Sequence, residues 1–138
     1  MIYIGIDFGD ARVGIAKSDP ACILAGAVGT LKVRGLADAA EQTAAEIKRL
    51  GGEAVIVGLP RNMDGTEVFR AERTRRFASL VAEKTGVKVM FTDERLSTVE
   101  AYTYMNITGV PGSKRKGKID ALSAQIILQS FLDSQKNR

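Results

Sequence analysis

Residues 1–16 read MIYIGIDFGDARVGIA, and their alternation decides the fold. Ile2, Ile4, Ile6 and Phe8 form one apolar row of a strand, while Tyr3, Gly5, Asp7 and Gly9 form the other. Gly9-Asp10 is a turn signal, after which RVGIAKSD (12–19) starts a second alternating run. Pro20 separates this from a third run over 23–33. Connections this short force an antiparallel meander, because parallel pairing needs a longer crossover. Asp7 is the anomaly in this pattern. A carboxylate late in a central strand must reach an exposed edge, accept hydrogen bonds or meet a cation. Gly5 and Gly9 flank it and are expected to leave space beside it.

Downstream the periodicity changes. Leu36, Ala40, Ala44, Ile47 and Leu50 predict an amphipathic helix over 36–50, ended by Gly51-Gly52. AVIVGLP (54–60) is continuously apolar, as parallel strands covered on both faces are. A second helix is predicted over 66–84, with Phe77, Leu80 and Val81 as its stripe and Gly86 as its stop. VKVMFT (87–92) reads as another buried strand and STVEAYTYMNI (97–107) as a helix with Ser97 or Thr98 as N-cap. A Gly-, Pro- and Lys-rich loop is expected over 109–118, and a last helix over 119–134. The order implies one α/β domain over residues 1–138. Its mixed five-stranded sheet combines an antiparallel β-meander with parallel strands and is flanked by helices.

Composition narrows the chemistry. The chain has no histidine, which excludes Ser-His-Asp and Cys-His nucleophile systems and HExxH zinc sites. A single cysteine, Cys22, excludes an internal disulfide and a cysteine-rich zinc site. There is no apolar run of about 18 residues and no secretory leader pattern, so no membrane association and a cytoplasmic location are expected. A net charge of +4 is compatible with a polyanionic partner. Hydrolysis by such a chain rests on carboxylates, lysine, hydroxyls or an oxygen-ligated metal.

Three places carry candidate carboxylates. Asp7 is the first. Asp93 and Glu94, in FTDERLST (91–98), follow a strand at the end where α/β sheets place ligands. An acidic turn with Arg95 as counter-ion explains that stretch equally well. Asp120 shares a helical face with Ala124, Ile127, Leu128 and Phe131, although an N-cap role also suits it. Carboxylates gathered from three elements would bind Mg²⁺ or Mn²⁺ through oxygen. Two such ions about 4 Å apart activate water and stabilise the leaving oxygen in phosphodiester cleavage. Lys114, Arg115 and Lys116 precede Asp120, and Arg70, Arg73 and Arg76 recur at helical spacing. A solvated face is the default reading of those arginines, and contact with a nucleic-acid backbone is the alternative.

IDFGDARVGIA (6–16), VGLPRNMDGTE (57–67), FTDERLSTVEA (91–101) and KGKIDALSAQIIL (116–128), in that order, resemble the YqgF/RuvX family. Holliday-junction resolution and pre-16S rRNA nuclease activity have both been attached to that family. The resemblance runs from Ile4 to about Phe131. It implies a ribonuclease H-like fold and a metal-dependent nuclease centre. Asp7, Glu94 and Asp120 are then the catalytic and metal-binding acids, with Asp93 as an alternative ligand. Two Mg²⁺ or Mn²⁺ ions are the implied cofactor. Arg73, Lys114, Arg115 and Lys116 are expected to contact nucleic acid, either structured RNA in a ribosomal precursor or branched DNA. The leading expectation is an endonuclease that matures the 5′ end of pre-16S rRNA. Its alternatives are a Holliday junction resolvase and a non-catalytic nucleic-acid-binding module. Either a monomer or a homodimer is compatible with the sequence.

Overall fold

The computed structural model describes residues 1–59, 65–93 and 112–136, with the side chains of 65–67, 93, 112–118 and 136 outside that description. Five strands and three helices are described: β1 (Tyr3–Phe8), β2 (Arg12–Ser18), β3 (Ala25–Lys32), α1 (Leu36–Leu50), β4 (Ala54–Leu59), α2 (Gly65–Thr85), β5 (Lys88–Asp93) and α3 (Gly112–Lys136). The sheet order is β3-β2-β1-β4-β5, so the opening strand lies at its centre. β1–β2 and β2–β3 pair antiparallel, while β1–β4 and β4–β5 pair parallel. The mixed five-stranded sheet expected from the sequence is therefore present.

The two rows of β1 face different layers. Ile4, Ile6 and Phe8 join Val13, Ile15, Val55 and Val57 in a core shared with Ile47 of α1 and Phe77 and Val81 of α2. Phe8 and Phe77 stack with centroids 4.3 Å apart. On the other side, Ala16 and Ile56 pack with Ala124, Ile127, Leu128 and Leu132 of α3. Each large apolar side chain so buried contributes about 1.5–3 kcal/mol. Two glutamines of α3 also tie the start of the edge strand to the helix. Gln129 accepts the Ala25 N–H at 2.8 Å, and Gln125 donates to the Ala25 carbonyl at 3.0 Å.

The helix ends follow local chemistry. α1 stops at Gly51 in the left-handed region (φ 72°), with the Gly52 N–H returning to the Ile47 carbonyl at 2.9 Å. α2 stops before Gly86, as its spacing predicts. α3 departs from expectation. It begins at Gly112, so Lys114, Arg115 and Lys116 lie in its first two turns and not in a loop. Lysine and arginine are strong helix formers, and their propensity outweighs the internal Gly117. The helix expected over 97–107 lies outside the described residues.

Candidate metal and nucleic-acid site

The site is assembled by close backbone packing. Asp7 of β1 stands opposite Gly14 of β2 in the antiparallel register. Paired residues share a face of the sheet, so Gly14 marks the ground beside Asp7. Helix α3 lies directly on it: a Cβ at Gly14 would fall 1.9 Å from the Asp120 carbonyl oxygen. At Gly5, two residues before Asp7, a Cβ would meet Leu128 Cβ at 2.7 Å and the Ala124 carbonyl oxygen at 2.8 Å. The space expected beside Asp7 is thus taken up by α3 at Gly5, and by the Arg12 carbonyl oxygen at Gly9. Small residues on this face let the helix approach, and the approach delivers Asp120 to the strand that pairs with Asp7.

Asp120 is half-buried and lies well inside α3, eight residues beyond Gly112. It is not an N-cap. Its Oδ2 accepts a hydrogen bond from Arg12 Nε at 2.7 Å, a charge-assisted contact between β2 and α3. Arg12 extends from the same row of β2 as Gly14 and Ala16. Arg12 is not among the residues expected from sequence, although the Arg-x-Gly-x-Ala row that it opens in the second strand was a usable signal.

The turn between β1 and β2 is held from the opposite side as well. Arg73 Nε of α2 donates to Asp10 Oδ1 at 2.9 Å. Phe8, Gly9, Asp10, Arg70, Arg73 and Thr74 line a cleft of about 50 Å³ at this turn. Arg73 is therefore engaged with an acid of its own chain, at the same end of β1 as Asp7. Asp10, read from sequence as a turn residue, is its partner.

The remaining expected residues are placed in part. Asp93 closes β5 opposite Leu59, and its side chain lies outside the described residues. Glu94 lies outside them entirely. Lys114, Arg115 and Lys116 are placed by backbone alone, at the end of α3 nearest Asp120. Among the described residues no three Asp, Glu, Cys or His side chains converge. The donor chemistry still fits a hard divalent ion. Asp7 and Asp120 offer carboxylate oxygens on one face, and the chain has no histidine to compete for a softer metal.

Among the described residues no helix is long and apolar enough to cross a membrane. The family model "RuvX: Holliday junction resolvase" matches residues 1–134. A protein of Caldanaerobacter subterraneus subsp. tengcongensis named "Putative pre-16S rRNA nuclease" is 39% identical over 139 residues, covering 99% of each chain. A protein of the same name from Clostridioides difficile is 41% identical over 134 residues, covering 97% of this chain and 95% of its own. The fold is that of Thermus thermophilus RuvC, solved in complex with a Holliday junction substrate. That likeness has a TM-score of 0.61 at 16% identity and covers 99% of this chain and 96% of RuvC. Near-complete coverage at such identity leaves one assignment: the chain belongs to the RuvX family.

Proposed function

We propose that this protein is a divalent-metal-dependent endonuclease that hydrolyses phosphodiester bonds of structured nucleic acid, with the 5′ end of pre-16S rRNA as its substrate. The observation that carries the reading is the seating of Asp120 on Gly14, directly across from Asp7. Two carboxylates from distant parts of the chain are brought to one face of the sheet at a cost in side-chain volume. Hard divalent ions are held by carboxylate oxygens gathered in this way from separate elements. The relatives named for pre-16S rRNA favour RNA as substrate.

Asp7 and Asp120 would hold the ions, with Glu94 completing the set and Asp93 as its alternative. Bound Mg²⁺ or Mn²⁺ supplies Lewis-acid activation of water and neutralises charge on the leaving oxygen. The chain's own residues do the rest. Lys114, Arg115 and Lys116 belong to the turns of α3 that precede Asp120, and their positive charge would favour phosphate at that end of the helix. Arg73 adds a cation at the β1–β2 turn, on the α2 side of the same strand end. Contacts of this kind orient a backbone without reading its sequence.

The test is cleavage of a transcript carrying the 16S 5′ precursor junction, with Mg²⁺ or Mn²⁺ and after chelation. Metal-dependent cuts that disappear in Asp7→Asn and Asp120→Asn support the proposal. Full activity of Asp7→Asn removes the carboxylate mechanism. Binding of the transcript without any cleavage, across both metals, turns the reading to a non-catalytic module.

A second reading, junction resolution, is favoured by the family's description and by the RuvC likeness. Resolution of two strands calls for a symmetric dimer. A monomer by sedimentation, both free and with four-way junction DNA, counts against it.

A further inference from the structure

We infer that the Arg12 guanidinium is an internal cation that occupies the Asp120 carboxylate until a divalent ion displaces it. This inference rests on the metal-site reading above. Three observations carry it, beginning with charge. The carboxylates of Asp7 and Asp120 belong to one face, and Arg12 supplies a positive charge directly on Asp120 Oδ2 at 2.7 Å. An arriving divalent ion makes that charge redundant, because two cations on one carboxylate repel.

The contact is also built to open. Arg12 reaches Asp120 through Nε alone among the described residues, not through a two-pronged guanidinium–carboxylate fork. The side chains are 36% and 21% exposed, so water and ions reach the pair and screen it.

Finally, the backbone that carries Arg12 is pinned. The Arg12 carbonyl accepts the Gly9 N–H at 2.9 Å, the neighbouring Ala11 carbonyl accepts the Val33 N–H at 3.0 Å, and Asp10 is held by Arg73. Displacement therefore needs a change of side-chain rotamer and no movement of the strand. The pair acts through Asp120, so Arg12 is a positioning residue. It also sets the concentration at which metal enters.

The experiment is Mn²⁺ binding to the full chain, read from the EPR signal of free Mn²⁺, together with the melting temperature without metal. The variants are Arg12→Gln, Arg12→Lys and Asp7→Asn. Arg12→Gln is expected to bind Mn²⁺ at least threefold more tightly while melting lower than the wild type in its absence. Arg12→Lys, which keeps the charge, is expected to stay near the wild type in affinity. A purely structural ion pair does not tighten metal binding when lost, so unchanged or weaker binding by Arg12→Gln overturns the inference. Should that variant fail to fold, Arg12→Met keeps the aliphatic stem and serves the same comparison. Wild-type binding that Asp7→Asn abolishes and Arg12→Gln leaves unaltered sinks this inference alone. Absence of Mn²⁺ binding to the wild type sinks the metal-site reading with it.

Discussion

Gly14 and Asp120 touch backbone to backbone: a Cβ on Gly14 would stand 1.9 Å from the Asp120 carbonyl oxygen and 2.3 Å from its carbonyl carbon. The obstruction is peptide, not the flexible end of a side chain. Any side chain at position 14 must therefore lift the N-terminal half of α3 from β2. That half carries Asp120 and includes the basic turns of the helix.

Gly14→Ala should accordingly cost stability and site geometry together. Overpacking of this kind costs about 1–3 kcal/mol. Urea unfolding should show a lower midpoint, and the Mn²⁺ binding proposed for the site should weaken. A wild-type midpoint with an intact metal response would show that α3 does not rest on Gly14.

Asp10 and Arg73 should separate a structural arginine from one that serves nucleic acid. Their pair is largely exposed on the Asp10 side, and exposed pairs couple by about 0.2–1 kcal/mol. Arg73→Ala should weaken binding of a short RNA duplex. Asp10→Ala, which frees the guanidinium, should strengthen it severalfold. Fluorescence anisotropy at two salt concentrations measures both, and opposite signs are the expected result. Equal weakening by the two variants would assign Arg73 to the turn alone.

Acid should loosen the connection between β2 and β3. The Asp19 carboxylate accepts the N–H groups of Ile23 at 2.7 Å and Leu24 at 3.2 Å. The Ile23 bond is the main cause holding its pKa below the usual carboxylate value. A lowered folded pKa means stability that is present above the unfolded pKa, near 4, and lost as pH falls through the folded value. The stability gap between wild type and Asp19→Asn should then be widest at neutral pH and close in acid. Urea midpoints at pH 7 and pH 3 measure it. A gap that does not narrow would remove Asp19 from the acid response.

Thr43 offers a gain. It is fully buried in α1, and its hydroxyl has no hydrogen-bond partner among the described residues. Thr43→Val keeps the shape and removes the unsatisfied group, whose burial costs about 1–3 kcal/mol. The melting temperature should rise. A fall would mean that the hydroxyl is satisfied in solution.

Much of this was readable from sequence because periodicity reports burial directly. The alternation of residues 1–16 specified a central strand with Asp7 on the row opposite the isoleucines, and that row is the one α3 covers. The continuous apolar run at 54–59 announced a parallel strand covered on both faces. The Gly51 stop was likewise local, because a left-handed residue there needs no distant partner.

The partners of those residues were not readable. Arg12 and Asp120 are 108 positions apart, and nothing in the local pattern of either names the other. Gly5 and Gly9 looked like space beside Asp7, whereas Gly5 is a seat of α3 and Gly9 meets the Arg12 carbonyl oxygen. The basic segment before Asp120 looked like a loop because its composition is mixed, and helix propensity with packing decided otherwise. Strand alternation and the helix stops are local properties, legible in sequence because each depends on neighbours within a few residues. Tertiary structure alone decided that Asp120 meets Arg12 across from Asp7. Such a contact depends on how closely two backbones approach, and that distance is set by packing of the whole layer.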